Sequence, residues 1–103
     1  MSVYMEGSRI GVQAEFRVPD DQGPLTDPTT VTFTARRRFQ GVLQAPTSYV
    51  YGTDPEVTRP STGTYKLTFT PAEGTWYVHV QGTGAAHAAA ETSFVIEHAE
   101  ALV

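Results

Sequence analysis

Hydrophobic and polar side chains alternate along most of this chain, and the alternation predicts β-strands. The first such stretch runs from Arg9 to Val18, where every second residue from Ile10 onward is apolar. A period of two places successive side chains on opposite faces of a strand, whereas the same set would scatter around a helix. We therefore expect a half-buried strand that points its apolar side chains inward and its polar side chains toward solvent.

The same pattern returns several times downstream, separated by turn residues. Strands are predicted at 29–39, 47–51, 56–59, 65–70, 76–81 and 92–97. The weak strand at 56–59 is expected to end at Pro60, because proline cannot donate a ladder hydrogen bond. The sequence PAEG at 71–74 predicts a turn that joins its two neighbours as an antiparallel pair. Residues 82–91 are expected to form a connection.

These stretches predict an all-β fold: an immunoglobulin-like antiparallel β-sandwich of about seven strands, with turn signals at intervals of about 8–12 residues. A small closed barrel is the alternative. A chain of 103 residues is of single-domain length and can bury a core without covalent staples. The domain is expected to span 1–97, with 98–103 as a C-terminal tail that frays or docks as one helical turn.

Composition narrows the function classes. Cysteine is absent, which excludes disulfides, thiolate metal sites and cysteine nucleophiles. The formal net charge of −4 argues against nucleic acid as the main partner. The sequence shows neither an apolar run long enough to span a membrane nor the pattern of a secretory signal, so no membrane partner is expected.

Several residues are candidates for an interaction site. Arg36 and Arg38 share one face of a predicted strand, where they are either solvated edge charges or a patch for an acidic partner surface. Tyr49, Tyr51 and Tyr77 could form an aromatic platform for an extended ligand, although such tyrosines also pack at sheet margins. The remaining candidates are small residues of the loop GAAHAAAE, which could dock on a partner or form a mobile tip: Ala85 and Ala86.

The sequence gives little indication of catalysis or metal binding. The histidines are interpreted as surface residues, because no second ligand type stands at metal spacing from them: His79, His87 and His98. The acidic loop residues suit a sharp turn as well as calcium: Asp20, Asp21 and Asp27. A G-x-S-x-G motif is absent, and GTGAAH imitates a dinucleotide-binding loop only superficially. We expect no enzyme activity, no cofactor and no metal.

The second half of the chain resembles filamin-type immunoglobulin repeats. The resemblance covers 61–96 and rests on GTYKLTFTPAEGTWYVHV, a glycine-bearing loop and the closing SFVIE. Filamin repeats usually carry Pro-Gly-Ser-Pro before the last strand, where this chain has GAAHAAAETS. The resemblance implies the last three strands of an immunoglobulin-like sandwich.

Over most of its length, about 7–97, the chain resembles a second group: single-domain immunoglobulin-like virion proteins of tailed phages and prophages. The shared features are a G-x-x-V/I strand, the turn and strand DQGPLTDPTTV, a tyrosine–glycine segment, STGTY and GTWY. This resemblance implies a non-enzymatic structural protein that decorates or reinforces the phage head or the head–tail neck. It also implies multiple copies, major capsid, portal or other neck and tail proteins as partners, and assembly into the virion in the host cytoplasm. The alternative is an adhesion or glycan-binding module.

Overall fold

The computed structural model describes residues 2–18, 23–86 and 88–98, and β-strands dominate them. Nine strands and one short 3₁₀ turn follow in chain order among the described residues. The strands are β1 (Ser2–Met5), β2 (Ile10–Glu15), β3 (Thr30–Phe39), β4 (Val42–Leu43), β5 (Thr47–Val50), β6 (Val57–Ser61), β7 (Thr64–Phe69), β8 (Gly74–Thr83) and β9 (Ala88–Glu97). The 3₁₀ turn Gly84–Ala86 lies between β8 and β9.

The strands form two sheets that pack face to face. The larger sheet has the order β1-β9-β8-β3-β4, with β5 also paired to β3, and the smaller sheet has the order β2-β7-β6. All pairings are antiparallel except that of β1 with β9, which is parallel. The smaller sheet holds the B, E and D positions and the larger sheet the C, F and G positions of an immunoglobulin-like sandwich. The predicted fold class is confirmed.

The core lies between the sheets and is made by the inward side chains that the alternation predicts. Phe33 of β3, Leu67 of β7 and Ile96 of β9 are fully buried. Aromatic rings join the layers, since Phe69 packs edge-on against both Trp76 and Phe94. Burial of about 1.5–3 kcal/mol per large side chain is the main term that offsets chain ordering.

The predicted pairing of β7 with β8 is wrong. β7 pairs with β2 and β6, whereas β8 pairs with β3 and β9 in the other sheet. The connection between them crosses from one sheet to the other, with Pro71 buried and the Trp76 indole donating to the Ala72 carbonyl at 2.8 Å. A crossover and a hairpin both turn the chain between two alternating strands, so the pattern alone cannot separate them.

Strand bounds also differ from the sequence prediction at several points. β8 extends to Thr83 and β9 begins at Ala88, so 82–83 and 88–91 of the predicted connection at 82–91 are strand, and Gly82 pairs with Ala88. β1 and β4 were not predicted at all; both are short and exposed. β6 continues through Pro60, which is possible because β6 lies at a sheet edge. The predicted tail at 98–103 lies outside the described residues after His98.

Candidate functional site

The outer face of the larger sheet brings together the two charged candidates, Arg36 and Arg38, and one aromatic candidate, Tyr77. The register of β3 with β8 sets Arg36 opposite Tyr77 and Thr34 opposite His79. The register of β8 with β9 then sets His79 opposite Glu91. These side chains alternate with the buried ones, so they share the solvent face of the sheet.

A shallow depression of about 530 Å³ lies on this face. We call it the outer groove; it is lined by Thr34, Arg36, Arg38, Leu43, Pro46, Tyr77, His79 and Glu91. Arg36 is fixed at its margin, because its Nε donates to the Gln44 carbonyl at 2.8 Å. That bond uses one of the five N–H donors of the guanidinium. The outer groove therefore presents a positioned cation beside an aromatic ring.

Exposed apolar side chains flank the outer groove on the same face. Val3 and Met5 of β1 are 55% and 53% exposed, and their register partners on β9 are Val95 and Glu97. At the opposite edge Leu43 is 37% exposed. Arginine, tyrosine and methionine are enriched where protein surfaces meet. Residues of all three types lie on this outer face.

The three consecutive arginines divide as the alternation predicts. Arg36 and Arg38 are exposed, whereas Arg37 is half-buried, with its guanidinium carbon 4.2 Å from the centre of the Phe39 ring. Arg37 Nε also donates to the Glu73 carbonyl at 2.6 Å, which ties β3 to the turn before β8. The interpretation of Arg36 and Arg38 as edge charges is wrong, because β3 lies between β8 on one side and β4 and β5 on the other.

The predicted tyrosine platform does not form. Tyr49 pairs with Phe33 on the inward face, and the centre of its ring lies 6.2 Å from the centre of the Phe69 ring. Burial raises the pKa of the Tyr49 hydroxyl. Tyr51 is 43% exposed and packs edge-on against Tyr65 at 5.1 Å. The Tyr51 amide donates to the Val31 carbonyl. Val31 lies about 17 Å along β3 from Arg36, the residue that pairs with Tyr77. Of the three, Tyr77 belongs to the outer groove.

The small residues of the last connection are not a free docking loop. Ala86 is buried in the core as part of the 3₁₀ turn, so its methyl group is closed to a partner. The backbone of Ala85 belongs to the same turn. His87, Asp20 and Asp21 lie outside the described residues.

Asp27 accepts hydrogen bonds from three residues of β6, β7 and the turn between them. Its two carboxylate oxygens accept hydrogen bonds from Arg59 Nε at 3.0 Å and Nη2 at 2.6 Å. Oδ1 also accepts from the Gly63 amide at 2.8 Å and the Tyr65 hydroxyl at 3.1 Å. The cation beside the Asp27 carboxylate is thus the Arg59 guanidinium. These contacts tie the loop before β3 to β6 and β7.

The hydrogen bonds to Asp27 predict an acid-sensitive contribution to the stability of the fold. Hydrogen bonds from Arg59, then from the Gly63 amide, hold the pKa of the Asp27 carboxyl well below its ordinary value of 3.8. A carboxyl whose pKa is lowered in the folded state stabilises the fold at pH values above its unfolded pKa. That contribution is lost as the pH falls from the unfolded pKa through the folded pKa. Urea unfolding at pH 7 and pH 3 should show a smaller pH dependence for Asp27→Asn than for the parent chain. An unchanged pH dependence in Asp27→Asn would show that other carboxyls control acid sensitivity.

Two further features lie away from the outer groove. An apolar cavity of about 310 Å³ opens between β2 and β9, with Val12, Ala14, Val80 and Ala90 among its lining residues. At one end of the sandwich, side chains from three separate segments converge: Glu6, Glu73 and His98. No spacing pattern predicts this cluster, because its members are far apart along the chain.

Comparison with known proteins adds a distant structural likeness. The search against family models and the search of curated proteins each returned no match. Among solved structures, the chain is similar to the Drosophila OTK extracellular domains 3–5, with 19% sequence identity and a TM-score of 0.37. The alignment covers 94% of this chain and 31% of that chain. Within the described residues, no helix is long and apolar enough to cross a membrane.

Proposed function

We propose that this chain is a non-enzymatic structural module of a tailed-phage virion. It binds neighbouring proteins through the outer face of its larger sheet and so decorates or reinforces the head or the head–tail neck. The observation that carries the proposal is the outer groove, where Arg36 and Tyr77 lie side by side between exposed apolar residues of β1 and β4. The resemblance of 7–97 to phage virion proteins supplies the setting.

The chemistry of the outer groove defines the partner surface. Arginine and tyrosine are the residue types that dominate binding energy when they become buried at the centre of an interface. The guanidinium of Arg36 favours a carboxylate on the partner, while Val3, Met5 and Leu43 favour apolar contacts around it. Major capsid, portal, neck or tail proteins with an acidic patch beside apolar residues meet this description.

Repetition compensates for the small size of a single contact. A typical interface buries about 800 Å² on each partner, and interfaces of this area range from weak to tight. A capsid or portal ring presents the same site many times under symmetry, and neighbouring copies can contact one another. Multi-copy assembly therefore holds the module in place without a high-affinity single site.

The adhesion alternative loses its predicted binding surface. A glycan platform required Tyr49, Tyr51 and Tyr77 on one face, but Tyr49 packs inward and Tyr51 lies at a different level of the sheet. A glycan-binding module would need another surface, so the virion proposal takes precedence.

Loss of the outer groove should abolish incorporation into particles. We expect the double variant Arg36→Glu, Tyr77→Ala to reduce the copy number in purified particles roughly tenfold or more, since it reverses the cation and removes the aromatic contact. Quantitative mass spectrometry of particles from complemented phage measures this number. The matched control is Arg9→Glu, which makes the same charge change at an exposed residue before β2.

The comparison of the two variants decides the proposal. Parent-level incorporation of Arg9→Glu with loss of the double variant supports docking through the outer groove. Equal incorporation of both variants would contradict it, and equal loss of both would show that net charge, not this surface, controls assembly. Circular dichroism of each purified variant confirms that the sandwich is folded.

A further inference from the structure

The parallel pairing of β1 with β9 brings two glutamates and a histidine to one end of the sandwich. Glu6 follows β1, and its amide donates to the Glu97 carbonyl at 2.8 Å. His98 follows β9, and Glu73 lies in the turn that enters β8, whose first residue Gly74 pairs with Ile96. The ends of these strands meet at one edge, so the three side chains lie together although they are far apart in the sequence.

The ligand atoms of this cluster converge on a common point. His98 Nδ1 lies 3.4 Å from Glu6 Oε1 and 3.7 Å from Glu73 Oε1. One ligand atom from each of the three residues lies within 4.8 Å of the others. Each side chain is about one-third exposed, so the cluster is open to ions from solvent.

These separations suit a shared metal ion better than a direct hydrogen bond. A charge-assisted N–H···O bond is about 2.7–2.9 Å long, which is shorter than either distance here. Nitrogen and oxygen ligands about 2.0–2.1 Å from a tetrahedral zinc ion are separated by about 3.3–3.4 Å. The 3.4 Å separation between His98 and Glu6 matches this distance between ligands, and the 3.7 Å separation between His98 and Glu73 lies close to it.

We propose that Glu6, Glu73 and His98 form a binding site for a divalent transition metal, with Zn²⁺ as the best fit. An imidazole nitrogen beside two carboxylates is a donor set that zinc accepts, whereas Ca²⁺ and Mg²⁺ take oxygen ligands. The two carboxylates also supply negative charge that attracts a divalent cation. Three protein ligands leave a fourth position for water.

A metal ion bound here would connect three segments: the end of β1, the turn before β8 and the end of β9. Among the described strands, β1 is a short edge strand that pairs only with β9, and the turn containing Glu73 links the two sheets. One ion bound to all three segments would restrain the end of β1 against the sandwich. Because the ion binds the folded arrangement, it stabilises the fold by mass action.

Zinc titration of the tag-free protein at pH 7.5 tests the site. We expect calorimetry to show one zinc ion per chain, and the melting temperature to rise by roughly 5–10 °C for each tenfold excess of zinc over its dissociation constant. The long-range ¹H–¹⁵N spectrum should show the His98 Nδ1 resonance shifting on zinc addition. His98→Ala and Glu73→Gln should each weaken zinc binding at least roughly tenfold, because each removes one ligand.

His79→Ala is the matched control, because His79 lies opposite Glu91 on the outer face and is not part of the cluster. It should bind zinc as the parent does. Zinc binding of equal strength in the parent and in His98→Ala or Glu73→Gln would overturn the proposal, as would an unshifted His98 Nδ1 resonance. Glu73→Gln is nearly isosteric, so it keeps the test valid if His98→Ala unfolds.

Discussion

Alanine in place of Phe33 should lower the free energy of unfolding by about 3–5 kcal/mol. Phe33 is completely buried at the centre of β3, where it pairs with Val80 on one side and Tyr49 on the other. Removing its ring deletes apolar burial and leaves a cavity between the sheets that neighbouring side chains fill only in part. A loss of this size is a large share of the total stability of a small domain, about 5–15 kcal/mol.

Urea unfolding followed by tryptophan fluorescence measures this loss, because Trp76 packs against the same core. Thr32→Ala is the control, since Thr32 precedes Phe33 on the same strand but faces outward. It should change stability by less than about 0.5 kcal/mol. A loss below about 1 kcal/mol for Phe33→Ala would show that the core is not centred on β3.

Alanine in place of Gly63 should cost about 2–5 kcal/mol, for two separate reasons. Gly63 has a φ of 71°, a left-handed conformation that strains any residue with a Cβ. A Cβ at this position would also stand 2.7 Å from the Thr26 backbone nitrogen and 3.0 Å from the Phe16 carbonyl oxygen. The Gly63 amide and carbonyl are both in use, bonded to Asp27 and to the Phe16 amide, so the backbone cannot move away easily.

Gly41→Ala separates the two reasons. Gly41 has a similar φ of 79°, but a Cβ there would have no heavy atom within 4 Å. Its replacement should cost about 1–2 kcal/mol, the strain of the left-handed conformation alone. Chemical denaturation of the two variants under identical conditions makes the comparison. Equal losses would mean that the close approach of the loop before β3 to the start of β7 is absent.

Much of the core was predictable from the sequence, because burial follows directly from a period of two. Alternation along their strands puts Phe33, Leu67 and Phe94 on the apolar faces, and each is buried. The pairing of strands was less predictable. The stretches that became β7 and β8 have the same alternation whether they form a hairpin or lie in opposite sheets, so the local pattern carries no information about the partner. β1 escaped detection because it is four residues long and exposed.

The outer groove was predictable in part. Alternation alone placed Arg36 and Tyr77 on outward faces, but only the register of β3 with β8 shows that they are neighbours. The cluster of Glu6, Glu73 and His98 depends entirely on topology, because it requires the parallel pairing of β1 with β9 and the crossover before β8. Residues that lie this far apart in sequence share no spacing rule that could reveal them.

Immunogold electron microscopy of phage particles induced from the source strain tests the central claim most directly. Antibody raised against the purified protein should label the particles, either across the head, which indicates decoration, or at a single vertex, which indicates the neck. Particles from a phage lacking the gene provide the background. Labelled cell surfaces beside unlabelled particles would contradict the virion proposal and would favour an adhesion module instead.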